Sequence, residues 1–213
     1  DSTMSNAPST NFAIEVTDRN PGYNLPQKLG RTLWAPMWLM ALMGFVAGAI
    51  TAGIRAANIA SGAGESLIQA QAHLVSGFMF IGFASVFAAI SFAIARILGT
   101  FRDGGGRVQE TLGVKVHSLK MPVTAKAFIG LMMMAMTAII IAVIIHFVTA
   151  AGTAAGTISI GDSETTAIVL EAVRRTGVAA YLVAIALGLA TITHVLRFQA
   201  IRLHELPGLT TRG

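Results

Sequence analysis

The stretch from Lys126 to Gly152 constrains this chain more than any other, because it contains no Asp, Glu, Lys or Arg after its first residue. At a rise of 1.5 Å per residue, a helix of about 25 residues exceeds the roughly 30 Å of a bilayer's hydrocarbon core. A helix that is apolar on all sides has no face to offer water, so it is atypical of a soluble domain. The stretch therefore predicts a membrane-spanning helix.

Three further apolar stretches accompany this one, and the composition agrees with a membrane environment. Hydrophobic residues make up 54% of the chain and charged residues 12%, with a mean hydropathy of +0.69. Soluble domains carry roughly 25% charged residues. We predict an all-α fold, an integral membrane four-helix transmembrane bundle. Its spans are expected at about residues 33–54, 66–98, 126–150 and 177–198.

Polar segments flank and connect these spans. We predict a polar cytoplasmic N-terminal segment at 1–30, a transmembrane domain at 31–204 with a cytoplasmic loop at 100–125 and an outer segment at 151–176, and a C-terminal tail at 205–213. Gly44 and Gly48 form a GxxxG pattern in the first span, which lets a neighbouring helix approach closely. We interpret this pattern as packing within the bundle rather than as a dimerisation face.

The basic side chains are distributed unevenly about the spans, and this distribution predicts the topology. One side carries only Arg55, Arg174 and Arg175, while the other twelve of the fifteen Lys and Arg residues fall on the opposite side. The positive-inside rule then predicts a multi-pass protein whose two termini both lie in the cytoplasm. We expect it in the cell (inner) membrane, that is, the plasma membrane. Because the basic residues lie beside spans, the net charge of +5 indicates contacts with lipids and not with nucleic acid.

Histidine is the main candidate for chemistry, since the chain has no cysteine and so no thiolate ligand or nucleophile. His73 and His146 are expected at similar depth in antiparallel neighbouring helices, an arrangement suited to two axial nitrogens on one haem iron. Arg174 and Arg175 are expected at the outer membrane surface, where they would pair with haem propionates. We therefore predict His73 and His146 as metal ligands, and all four residues as a haem b site.

Other interpretations of these histidines remain open. One imidazole can hydrogen-bond a backbone carbonyl or a neighbouring helix while the other lies in the headgroup region. A copper site formed by the same pair with Met79 is a further alternative. His194, near the other end of the last span, is interpreted as a structural hydrogen-bonding residue or a group near a quinone or partner surface.

The functional prediction follows from what the spans contain. No acidic residue is expected in mid-membrane, which argues against a carboxylate-based ion path. We predict a non-catalytic subunit of a larger, hetero-oligomeric membrane complex, with a haem-b-type electron-transport anchor as the specific hypothesis. The alternative is a cofactor-free structural subunit that stabilises a membrane enzyme complex, and the third hypothesis is a small channel or transporter.

Overall fold

A computed structural model describes residues 12–210 of the chain; residues 1–11 of the predicted N-terminal segment and 211–213 of the predicted tail lie outside the described part. In chain order the elements are β1 (Ile14–Thr17), α1 (Leu25–Ala60), α2 (Glu65–Thr111), β2 (Val116–Leu119), α3 (Val123–Ala154) and α4 (Ile160–Thr210). Within residues 12–210, four helices are long and apolar enough to cross a membrane. The predictions of an all-α fold and of four apolar helices are confirmed.

The helices extend well beyond the predicted spans. α2 has 47 residues and α4 has 51, against the roughly 20 that a bilayer core needs. The expected loop at 100–125 is therefore largely the end of α2 followed by β2. The expected outer segment at 151–176 is also mostly helical, and only residues 155–159 connect α3 to α4. α4 also continues through Pro207 and Gly208, into the segment that the sequence assigns to a C-terminal tail.

The start of α1 is fixed by a capping box. The backbone N–H of Asn24 donates to Gln27 Oε1 at 3.0 Å, and the backbone N–H of Gln27 donates to Asn24 Oδ1 at 3.2 Å. These reciprocal bonds satisfy donors that the first helical turn leaves unpaired. α1 therefore begins eight residues before the predicted first span, in the segment that the sequence assigns to a polar extension.

α2 is the central helix, because it contacts each of the other three, whereas α1 packs mainly against α2. Glycines make the contact between α1 and α2. A Cβ atom added to Gly44 would lie 2.7 Å from the backbone nitrogen of Gly82, and one added to Gly48 would lie 3.0 Å from Met79 Cε. The GxxxG pattern is thus used within the bundle, as predicted.

A two-stranded sheet covers one end of the bundle. β1 pairs antiparallel with β2, with Ile14 opposite Leu119 and Thr17 opposite Val116. We call this end the sheet end, and we call the opposite end, with the connections at 61–64 and 155–159, the loop end. The described part of the polar N-terminal segment therefore lies against its own chain.

Cationic side chains lie near the sheet end on two helices, Arg96 on α2 and Lys126 on α3. The Arg96 guanidinium on α2 lies 5.1 Å from the centre of the Trp34 ring on α1, and Gly30 packs against the backbone of Phe92 and Arg96. Lys126 begins the uncharged part of α3. Beyond this level the chain carries no Asp, Glu, Lys or Arg over residues 32–54, 66–95 and 127–161. These three stretches define the apolar thickness of the bundle.

Candidate functional site

His73 on α2 and His146 on α3 meet in the interior of the bundle. Their Nδ1 atoms are 2.9 Å apart, and their ring centroids are 5.2 Å apart at an interplanar angle of 52°. His73 is 1% exposed and His146 is 3% exposed. The two residues, which we call the histidine pair, therefore form one buried polar contact between α2 and α3.

The hydrogen bonds of the histidine pair determine which nitrogen carries each proton. His73 Nε2 lies 3.1 Å from the backbone carbonyl oxygen of Ser163 on α4. A carbonyl only accepts, so His73 Nε2 carries a hydrogen, and in the neutral ring Nδ1 is then an acceptor. His146 Nδ1 must therefore donate to His73 Nδ1. This leaves a lone pair on His146 Nε2, a buried atom without a hydrogen-bond partner in the part of the chain that the structure describes.

Small and aromatic residues enclose the pair. The Phe80 ring lies 5.1 Å from the His146 ring in an edge-on arrangement. A Cβ added to Gly77 would lie 3.4 Å from the Cβ of His146, so this glycine allows α3 to approach α2. Thr149 and Thr153 are buried on the same face of α3 as His146, because they follow it by three and seven residues. The pair is thus the centre of a polar cluster inside an apolar bundle.

The observed geometry differs from two axial ligands on one iron. Two imidazole nitrogens on opposite sides of one metal, each at about 2.0 Å, are about 4 Å apart. The 2.9 Å between the Nδ1 atoms is instead a hydrogen-bond distance. Holding one iron between the two rings would require them to separate by about 1 Å and to lose this hydrogen bond, so the pair as it stands does not fit that arrangement.

A copper site with Met79 is likewise not assembled. Met79 lies against Gly48 of α1, whereas the histidine pair faces α3 and α4. Among residues 12–210 no group of three or more His, Cys, Asp or Glu side chains is placed to hold a metal ion. In the described cluster, the atom available to bind a ligand is one histidine nitrogen with a free lone pair, His146 Nε2.

The structure does not bring Arg174 and Arg175 to the histidine pair. Both arginines donate to the same oxygen, Oε1 of Glu171, at 2.5 and 2.9 Å. We call Glu171, Arg174 and Arg175 the charged triad. Their side chains are 36%, 44% and 79% exposed on the outward face of α4. Ser163, which does contact the pair, lies about three turns earlier on α4.

Contacts between neighbouring helices give the level of the charged triad. Gly177, less than one turn after Arg174, lies against Ile139, near the middle of the uncharged stretch of α3. Tyr181 stacks on Phe87 of α2, with 5.0 Å between the ring centroids. The triad is therefore level with the middle of the uncharged stretches of α2 and α3, while within α4 it directly precedes that helix's own uncharged stretch, residues 176–196. The position of the two arginines at the outer membrane surface stays a prediction.

The level of the triad arises from the register of α3 against α4. The 155–159 connection is short, so α4 enters the bundle at once, and its residues 160–176 run beside the apolar second half of α3. Exposed isoleucines of α3, including Ile140 at 51% and Ile144 at 56%, share the level of the triad. Sequence reasoning missed this juxtaposition because it read Gly177 as the start of the fourth span.

Comparisons with known proteins found no relative of this chain. No family model, no curated protein and no solved structure matches it. The function is therefore inferred from the chemistry of the histidine pair and the position of the charged triad.

Proposed function

We propose that this protein is an integral subunit of a hetero-oligomeric membrane complex, and that α4 binds a transmembrane helix of another subunit. The observation that carries the proposal is the charged triad on the outward face of α4, level with the middle of the apolar thickness. Two arginines and one glutamate leave a net charge of +1 where the surrounding solvent would be lipid.

The energetic argument favours a protein partner. An arginine at the centre of a membrane helix costs about 2.5–3.5 kcal/mol on insertion scales. Glu171 compensates only one of the two arginines, and with the triad at the bilayer centre the lipid phosphates would lie about 15 Å away. A carboxylate on a neighbouring transmembrane helix neutralises the second arginine, and the attraction is strong because the local dielectric constant is low.

A second copy of this chain would neutralise the second arginine less well than a different helix. It brings its own charged triad, so two copies together carry +2 at the contact. The partner chemistry that fits is therefore a different helix with an Asp or Glu at mid-depth. Ile168 and Val169, which are 72% and 57% exposed one turn before Glu171, add apolar surface to the same contact.

The topology belongs to the same proposal. With the sheet end in the cytoplasm of a cell (inner) membrane, both termini lie inside, which agrees with the excess of basic residues at that end. Lipids would then cover the outward apolar faces of α1 and α3.

Copurification from native membranes in mild detergent tests the subunit role. We expect the wild-type protein to retain one or more membrane partners, and Arg174→Gln combined with Arg175→Gln to lose at least nine-tenths of them. The matched control is Arg107→Gln, which removes an arginine that is 71% exposed and paired with Asp103 near the sheet end. A wild-type protein that purifies without other polypeptides contradicts the proposal, as does full retention by the double variant.

A second candidate function is a haem-binding anchor in which His146 is the single protein ligand. The observation that favours it is the lone pair on buried His146 Nε2, since metal-bound histidines commonly donate their other ring N–H to an acceptor. Here His146 would hold the iron and His73 would orient His146. A haem would supply one-electron transfer at this position.

The visible absorption spectrum of the protein purified from native membranes tests this second candidate. We expect a reduced α-band that is absent from His146→Ala and shifted, but present, in His73→Ala. A colourless wild-type preparation contradicts haem binding. Equal loss of the band in both variants indicates two ligands instead of one.

A further inference from the structure

A cavity of about 110 Å³ lies at the sheet end, on the opposite side of the molecule from the histidine pair. It lies between the ends of α2, α3 and α4 and is closed by the start of α1 and by β2. An apolar cavity of roughly 150 Å³ is large enough to take up benzene. The cavity is therefore on the scale of a single six-membered ring or a compact headgroup.

The walls of the cavity differ in polarity along the axis of the bundle. Towards the middle of the bundle they are apolar, with Leu98, Phe128 and Val195. Ala95 and Ala125, which also line it, directly precede Arg96 and Lys126, so the cavity lies at the edge of the apolar thickness. An occupant would have one end in the apolar region and the other among polar groups.

Polar side chains meet at the sheet-end side of the cavity. They are Gln27, Arg102, His117, Ser118 and Gln199. Several of them already have partners: Gln199 donates to the backbone carbonyl of Phe101 at 3.3 Å, and His117 Nδ1 lies 3.1 Å from Arg202. These bonds hold the polar rim in place.

Two donors on this rim have no acceptor among the described residues. Ser118 is 7% exposed and its Oγ makes no hydrogen bond. Arg102 Nε is also buried without a hydrogen-bond partner. Leaving such buried donors unpaired is unfavourable, and more so for a charged group. Oxygen acceptors on an occupant of the cavity would be the partners that these two donors lack.

We propose that this cavity binds a lipid-soluble molecule whose compact head carries hydrogen-bond-accepting oxygens and whose apolar tail extends along α3 and α4 into the membrane. Two sources share this chemistry, namely the ring carbonyls of a quinone and the phosphate of an anionic phospholipid. The site does not depend on the charged triad or on the histidine pair, since neither lines it.

Binding titrations with the full-length protein in phosphatidylcholine nanodiscs test the proposal. One arm adds a benzoquinone with a ten-carbon tail, and the other replaces part of the phosphatidylcholine with phosphatidylglycerol. We expect one of these probes to bind, and Ser118→Ala and Arg102→Gln each to weaken its binding about tenfold, as loss of one hydrogen bond of about 1.4 kcal/mol implies.

The matched control is Ser91→Ala. Ser91 is also a buried serine whose Oγ has no hydrogen-bond partner within residues 12–210, but it is outside the cavity lining. We expect this variant to bind like the wild type, and thermal unfolding of every variant shows whether it is folded. Binding of neither probe, which would leave a cavity filled by water alone, overturns the proposal. So does unchanged binding by both cavity variants, or equal weakening by Ser91→Ala.

Discussion

The histidine pair shows how one hydrogen bond determines the chemical state of a residue two contacts away. Ser163 contributes a backbone carbonyl, which fixes the proton on His73 Nε2 and, through His73 Nδ1, the proton on His146 Nδ1. The lone pair on His146 Nε2 is a consequence of this chain of contacts. Sequence spacing predicted that the two histidines would lie at similar depth. The role of Ser163 was not predictable, because a backbone acceptor has no signature in residue type.

At the residue scale, we predict that His73→Ala lowers the thermal stability of the protein in detergent. The substitution leaves the Ser163 carbonyl and the His146 ring N–H unpaired in a buried site, at about 1–3 kcal/mol for each group. The unfolding midpoint, followed by circular dichroism, should fall by several degrees.

His204→Ala is the control for this prediction, since His204 is exposed near the end of α4. We expect its midpoint to match that of the wild type. Equal midpoints for His73→Ala and the wild type would show that the contact between the two imidazoles contributes nothing to stability.

The number and approximate position of the helices were predictable from the sequence, because the composition of each apolar stretch determines them. The apolar stretches gave the number of helices, because a bilayer demands about 20 uncharged residues of each crossing. The register between helices was not predictable, because it depends on which small residues allow close approach. Gly44 against Gly82 and Gly177 against Ile139 are such contacts, and they decide which residues share a depth.

At the element scale, we predict that Gly44→Ala separates α1 from α2. The added Cβ would lie 2.7 Å from the backbone nitrogen of Gly82, where no flexible side chain can move aside. Overpacking of this kind costs typically about 1–3 kcal/mol. Thermal unfolding, or loss of a crosslink placed between α1 and α2, measures the effect.

Gly53→Ala provides the comparison on the same helix. No atom of the described part of the chain lies within 4 Å of a Cβ at this exposed glycine, and alanine is the better helix former. We expect this variant to be at least as stable as the wild type. Equal effects of the two substitutions would contradict the assigned contact between α1 and α2.

For the whole molecule, the register places charges beside an apolar surface. The uncharged stretches of α1, α2 and α3 lie side by side, and the register of α4 brings the charged triad level with the middle of those of α2 and α3. A membrane protein that held these charges against lipid alone would carry an uncompensated cost. The proposed subunit role therefore depends on this depth.

Labelling of single cysteines in native membranes measures the depth of the charged triad most directly. The chain contains no cysteine, so Thr176→Cys introduces the sole thiol beside Arg175 on the exposed face of α4. Ile140→Cys gives the apolar reference and Ser61→Cys, in the connection at the loop end, the water-exposed one. We expect a membrane-impermeant maleimide to label Ser61→Cys from one side of the membrane and to leave both Thr176→Cys and Ile140→Cys unlabelled. Labelling of Thr176→Cys at the rate of Ser61→Cys would place the triad in water and contradict the account.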